Sequence, residues 1–472
     1  MRTVATLALL FAGTYVWAGC ATQHYRAVPI MPAATASQFE SRSLADAGLR
    51  SFEERNLGHS LSSWPPENWD RQTLSIAALY FNPALDLARA RVATAKGAVT
   101  TAGARPNPTF DLTPGVPAPY LLTQDLLFLI ETAGKRHFRV QAAESLDRAA
   151  QFDLANSAWA IAMDVRTALL NDLVASQNVA LLKSEEKARA DQVGILEQIL
   201  AAGETTRFDI DLARIDLSKT VVAVHTAEEH VVDARSALAT AIGIPLAGLA
   251  GATFSWPELM SPPPAGSLSV DQVRRDAVLN RLDIRSALAR YAAAEADLHA
   301  EIAKQDPNIS LGPGYTYEER HSYFTVGLSI PLLILNRNQG PIAEAEGRRE
   351  QAAAAFLQTQ AQVIERSEQA FAAYKAALRT LAETESSYQL EATELQRVQH
   401  NITAGTDYRL SLDGIQVQLS VLAQARLTAL ARAQQALGNL EDAVQRPLGP
   451  GEVLPVNAER PRLGHSPQPP RR

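Results

Sequence analysis

Ala202-Gly203-Glu204-Thr205-Thr206-Arg207-Phe208 and Ala404-Gly405-Thr406-Asp407-Tyr408-Arg409-Leu410 share one frame, Ala-Gly-x-x-x-Arg-apolar, at an offset of 202 (404 minus 202). Each opens an apolar-striped helix pattern. The same offset relates Ala241, Pro245 and Leu246 to Ala443, Pro447 and Leu448, and Ala143-Glu144 to Ala345-Glu346. Periods of about 20–50 residues mark solenoids. A period this long marks duplication of a domain-sized unit. Each unit reads as helix, strand pair, very long helix, turn, helix.

The strand pairs carry the next signal. Phe110, Leu112, Pro114 and Val116 alternate with Thr109, Asp111, Thr113 and Gly115. A second run, Tyr120 to Ile130, alternates less cleanly. In the second unit Ile309, Leu311, Pro313, Tyr315 and Tyr317 alternate with Ser310, Gly312, Gly314 and Thr316. Phe324, Val326, Leu328 and Ile330 alternate with Tyr323, Thr325, Gly327 and Ser329. Period two gives each strand an apolar and a polar face. The small polar face suits a wet lumen, and tyrosines near strand ends suit a membrane interface.

The spacing predicts one helix from about Leu74 to Ala104, stopped by Arg105-Pro106-Asn107-Pro108. Long helices are expected from about Lys135 to Ala202 and from about Pro341 to Ala404. The first would run about 100 Å at ~1.5 Å per residue. Tyr374, Leu381, Tyr388, Leu395 and Ile402 fall every seventh residue, and Leu430, Ala433, Leu437, Leu440 and Val444 step 3-4-3-4. Both are coiled-coil patterns. The expected organisation is a signal peptide over 1–19, an irregular N-terminal arm over 20–70 and a first repeat over 71–256. A Pro-rich linker over 257–268, a second repeat over 269–448 and a disordered tail over 449–472 complete it.

Composition narrows the function. The chain is 46% apolar with a net charge of −7, and its charges are interspersed, with no basic stripe or motif for nucleic acid. The single cysteine is Cys20. Arg2, the apolar run Val4 to Trp17 and Ala18-Gly19 ahead of it make a secretory signal. Small residues ending on cysteine resemble a bacterial lipobox, in which the thiol of Cys20 is acylated. Ordinary cleavage near this point, leaving Cys20 unmodified, is the alternative. Ala21 rather than aspartate after it implies, in that signal family, passage to the outer membrane. No later run reaches the ~18–20 apolar residues of a membrane helix, so membrane insertion must use strands. Four strands cannot close alone, because open edges are not satisfied in lipid and single-chain barrels start at about eight strands. Self-association is therefore expected.

Pro106-Asn107-Pro108 before the first strand, Glu131-Thr132-Ala133-Gly134-Lys135-Arg136 opening the first long helix, and Ile330-Pro331-Leu332 with Asn336-Arg337-Asn338-Gln339-Gly340-Pro341 opening the second carry a resemblance. The chain resembles the TolC-family outer-membrane channels, the exit ducts of tripartite RND-type pumps, and most closely their heavy-metal resistance subgroup. The resemblance implies a mainly α fold with a small transmembrane β part: a homotrimeric β-barrel continued by an α-helical tunnel in the periplasm. It implies an inner-membrane RND-type pump, a periplasmic adaptor (membrane fusion protein) and outer-membrane lipid as partners. The duct would conduct substrate, heavy-metal cations in this subgroup, without chemistry or cofactor. The turns at Gly203, Thr206, Arg207, Gly405 and Thr406 would be the adaptor-docking tips. Asp209, Asp407, Tyr408, Arg409 and Asp413 are candidates for the periplasmic gate, where three copies of an acid around an axis would form a ring. The alternative for each acid is a helix-start or solvated surface role.

Enzyme readings find little support. The nine histidines are scattered, and no HExxH, GxSxG, P-loop or dinucleotide fingerprint occurs. No metal site is expected. Multidrug efflux or type I secretion ducts, a coiled-coil envelope lipoprotein and a lipid-anchored hydrolase are the competing readings. The amphipathic strands argue against the lipoprotein tether, which needs no barrel.

Overall fold

A computed structural model of the chain describes residues 25–116, 121–267, 270–403 and 409–448. Cys20, Gly405, Thr406, Asp407 and Tyr408 lie outside them, as do the expected signal peptide and tail. Residues up to Arg42 form a unit of their own, whose described part contains helix α1 (Pro32–Glu40). Everything from Ser43 onward forms the second unit.

The arm is not irregular throughout. Besides α1 it holds α2 (Ala47–Leu57). The Asp46 carboxylate caps α2 by accepting from Leu49 N at 2.9 Å, Gly58 ends it at φ +76°, and Leu49 and Phe52, one turn apart, are buried. The expected single helix after it is two, α3 (Arg71–Phe81) and α4 (Pro83–Gly103). Pro83 lacks the N–H that a continuous helix needs, while extended Asn82 caps α4 through its side chain. The second repeat breaks in the same place: α7 (Val270–Asn280) and α8 (Leu282–Ala303) meet at extended Arg281.

Strands β1 (Thr109–Gly115), β2 (Leu121–Ile130), β3 (Ile309–Glu318) and β4 (His321–Ser329) form one antiparallel sheet in the order β1-β2-β3-β4. The two strand pairs thus join side by side through β2 and β3, leaving β1 and β4 as edges. Helices α5 (Lys135–Ala201) and α6 (Arg207–Ile242) follow the first pair; α9 (Gln339–Thr403) and α10 (Arg409–Val444) follow the second. α6 and α10 each have 36 residues and sit 202 positions apart at both ends (409 minus 207, 444 minus 242). The repeat period is therefore kept in three dimensions.

Nearer the sheet the helices pack in the row α4-α5-α8-α9; beyond the middle the row is α6-α5-α10-α9. Among the described residues neither α4 nor α6 packs substantially on α9, so both rows are open. The core lies at mid-height of the long helices. In the first repeat Leu74 to Phe81 are all buried, and α3 inserts among Leu169, Leu238 and Ile242. A helix apolar all round belongs inside. Each such fully buried Leu or Ile stabilises by about 1.5–3 kcal/mol relative to exposure. In the second repeat Val363, Tyr374, Leu437 and Leu440 form the corresponding cluster with Val273 and Ile284. The 3-4-3-4 stripe Leu430, Ala433, Leu437, Leu440 and Val444 is buried at every position.

Candidate functional site

The sheet sorts its side chains by register. Phe110 faces Leu126 and Leu112 faces Gln124 across β1 and β2; Phe128 faces Leu311 across β2 and β3; Leu311 faces Leu328, Pro313 faces Val326 and Tyr315 faces Phe324 across β3 and β4. These share one face because side chains alternate along each strand. Phe110, Leu112, Phe128, Leu311, Phe324, Val326 and Leu328 are all exposed. The opposite face carries Thr109, Asp111, Thr113, Thr123, Asp125, Ser310, Gly314, Thr316, Thr325, Gly327 and Ser329, interrupted by Leu121, Leu127, Leu129 and Tyr323. Most of the apolar side is exposed among the described residues, and the polar side is the one a barrel would enclose. Gly312 makes the middle pairing possible: a Cβ there would stand 1.8 Å from the Leu126 carbonyl oxygen.

Charged side chains tie the sheet to the helices. Lys135 is buried and donates to Asp306 O at 2.6 Å, to Asn308 Oδ1 and to Thr132 Oγ1, which joins the start of α5 to the chain before β3. Burial lowers its pKa from the ordinary lysine range. Arg136 and Arg139 donate to Gly103 O and Ala102 O, satisfying carbonyls at the end of α4. Asn338, at φ +65°, does the same for Glu301 O at the end of α8. The motifs that opened the two long helices are thus the joints between sheet and helical wall.

At mid-height a buried ionic cluster couples the repeats. Arg166 on α5 pairs with Glu441 on α10, Nε to Oε2 at 3.0 Å, both essentially fully buried. Arg71 on α3 approaches the same oxygen at 3.4 Å, and Glu441 Oε1 accepts from Leu448 N at 2.9 Å. Both guanidiniums lie within cation–π range of the Trp256 ring, at 5.0 and 5.6 Å. Burial pushes Arg166 down to about 10, opposed by Glu441. Gln434 accepts from Arg166 and donates to Leu259 O at 2.7 Å, and the Tyr374 hydroxyl donates to Pro263 O, so the Pro-rich linker is stapled to the second repeat. Further along α5, Glu185 accepts from Gln424 of α10 at 2.8 Å.

The tip of the first hairpin is held by its own backbone and caps. Gly203 adopts φ +79°, where a side chain would be strained, and Glu204 N donates to Ile199 O. Thr206 caps α6: Asp209 N donates to its Oγ1 at 3.3 Å, and Thr206 N donates back to Asp209 Oδ2 at 3.1 Å. Hydrogen bonds from Thr206, then Thr205, hold the Asp209 carboxyl below its ordinary range. Arg207 is exposed. Thr206 and Asp209 are therefore together in one capping box. Of the second tip, Arg409 begins α10, and Asp413 is buried at 7% exposure one turn in. The remaining second-tip candidates lie outside the described residues. Arg166, Arg71, Trp256 and Lys135 were not anticipated as a set; the one sequence signal was Glu441, a charge inside the apolar stripe between Leu437 and Val444.

Residues 273–444, nearly the whole second repeat, match the family described as outer membrane efflux protein. The second repeat is thus similar in sequence to that family. The chain is 26% identical over 230 residues to the cobalt-zinc-cadmium resistance protein CzcC of Cupriavidus metallidurans, a match covering 48% of this chain and 54% of that protein. It thus spans about half the length of that relative. The outer membrane protein VceC of Vibrio cholerae has the same fold at TM-score 0.63 and 20% identity, over 82% of this chain and all (100%) of that one. CusC, described as undergoing conformational changes that accompany folding and transmembrane channel formation, aligns at TM-score 0.63 and 18% identity, over 90% and 99% of the two chains. Among the described residues no helix is long and apolar enough to cross a membrane, and no group of three His, Cys, Asp or Glu side chains is placed to hold a metal ion.

Proposed function

We propose that the protein is the outer-membrane exit duct of a tripartite efflux system, passing heavy-metal cations from an inner-membrane RND-type pump and a periplasmic adaptor to the exterior. One observation carries this reading. The four-stranded sheet and the two helical rows are open on the same two sides: β1, α4 and α6 on one, β4 and α9 on the other. An apolar-faced sheet in lipid must close, and only further copies of the chain can supply the missing strands. The edge helix α6 also carries Phe208, Leu212, Ile215 and Val222 exposed at 4-3-7 spacing, a seam for another copy. Three copies would give twelve strands above twelve helical segments, a conduit.

In this reading the Gly203 and Gly405 turns are the periplasmic tips that dock the adaptor, with Thr206, Arg207 and Thr406 beside them. Asp209, Asp407, Tyr408, Arg409 and Asp413 are then the gate candidates, Asp209 through the capping box that shapes the tip. Cys20 carries the lipid anchor. Likeness to a cobalt-zinc-cadmium resistance protein supports metal as cargo. The test is metal tolerance of a host lacking its own duct, supplied with the pump, the adaptor and this chain. Restored tolerance to zinc, cobalt or cadmium is expected. Restored tolerance to organic drugs alone would overturn the cargo, and no restoration with all three proteins present in the envelope would overturn the duct.

A further inference from the structure

We infer that Ile330–Leu335, the segment between β4 and α9, is an interfacial foot that seats in the phospholipid leaflet at the helical end of the barrel. This rests on the barrel reading above. The apolar alternation of β4, Phe324, Val326 and Leu328, does not stop where the sheet stops at Ser329. It passes into an unbroken apolar run, Ile330-Pro331-Leu332-Leu333-Ile334-Leu335. Leu332 is 78% exposed, Ile334 76% and Leu335 96%. Ile334 N donates to Leu332 O at 3.0 Å, a tight local turn that keeps these side chains in a small loop.

The occupant follows from direction and charge. A neighbouring copy pairs with the β4 edge, in the plane of the sheet. Lipid meets the sheet along its normal, on the face that holds Phe324, Val326 and Leu328. Ile330, two residues after Leu328, keeps the register of that face, and the loop starts from it. The chain then turns polar at once, Asn336-Arg337-Asn338, and Arg337 is exposed. Apolar side chains next to a basic one, at the end of an apolar band, match the boundary between acyl chains and phosphate headgroups. On the other side Asn338 anchors the loop to Glu301 at the end of α8, at 2.8 Å to its carbonyl and 2.9 Å to its carboxylate, so the foot has a fixed base. The foot would fix how deeply the barrel sits relative to the helical wall.

The experiment uses the full-length protein in vesicles of phosphatidylcholine and phosphatidylglycerol, with one phosphatidylcholine brominated near the glycerol end of an acyl chain. Leu335→Trp and, independently, Leu332→Trp are compared with Val326→Trp on the sheet face, each as emission above the parent protein. Quenching of the loop tryptophans to at least the degree of Val326→Trp is the expected result. Val326→Trp quenched with both loop tryptophans unquenched overturns the foot while leaving the barrel standing. Sensitivity to aqueous iodide would then place the loop in water, and protection from it would place a second copy over the loop. No quenching at any of the three positions overturns the barrel reading, and the foot with it.

Discussion

Replacing Glu441 by alanine should destabilise the protein more than any surface change on α10. The carboxylate faces two buried or half-buried guanidiniums, Arg166 at 3.0 Å and Arg71 at 3.4 Å, and it also holds Leu448 N at 2.9 Å. Removing it strands Arg166, whose side chain is 1% exposed, with a charge that water cannot reach. Loss of one partner of such a pair costs roughly 3–5 kcal/mol. The stacking on Trp256 does not replace the lost counter-charge, because a cation–π contact contributes only about 0.5–2 kcal/mol and is already present. Replacing both members, R166M with E441M, removes the stranded charge and should recover most of the loss. Guanidinium titration of helical circular dichroism on the solubilised protein reads both. A single variant within about 0.5 kcal/mol of the parent, the range of ordinary surface substitutions, would refute the buried-pair argument. So would a double variant worse than either single one.

Glu53 is fully buried, and burial with the nearby Asp70 pushes it up to about 8. The folded state keeps a proton that the unfolded state loses above the ordinary glutamate value of 4.5, so stability should fall from pH 5 to 8 and level off above. Glu53→Gln should flatten that slope, by on the order of a few kcal/mol across the window; an unchanged pH profile would place Glu53 in contact with water. Thr206→Ala removes the cap of α6 and should loosen the tip by about 1 kcal/mol, seen as faster amide exchange at residues 206–210 with the sheet unaffected. Gly312→Ala forces a Cβ against the Leu126 carbonyl and should cost at least about 1–3 kcal/mol of assembly stability. Gly327→Ala, where a Cβ would meet Leu127 Cδ2 at 3.6 Å and Gly312 O at 3.8 Å, both ordinary contacts, should be tolerated. Equal melting of the two variants would mean that β2 and β3 are not so closely apposed.

Local periodicity told most of the fold. Alternation along Phe324, Val326 and Leu328 placed β4 and its apolar face, and the stripe from Leu430 to Val444 named the buried side of α10. The 202-residue offset placed α6 and α10 before any packing was known. The arm was less legible, because α2 is short and depends on Asp46, Gly58 and burial of Phe52 against residues far along the chain. The break at Asn82-Pro83 is marked by the proline, yet the apolar stripe runs on through both sides of it and reads as one helix. The site was legible only as turns. Glu441 and Arg166 are 275 positions apart (441 minus 166), and nothing local announces their pairing. Asp209 shows the opposite limit: the acid after a tip glycine reads equally as a gate or as a helix cap, and the single chain displays the cap.

Closure of the open sheet by further copies is the central claim, and the mass of the detergent-solubilised particle tests it most directly. Sedimentation equilibrium in a mild, density-matched detergent should give one species of three chains. A single chain that is monodisperse and still helical under the same conditions would leave β1 and β4 as bare edges and contradict the duct.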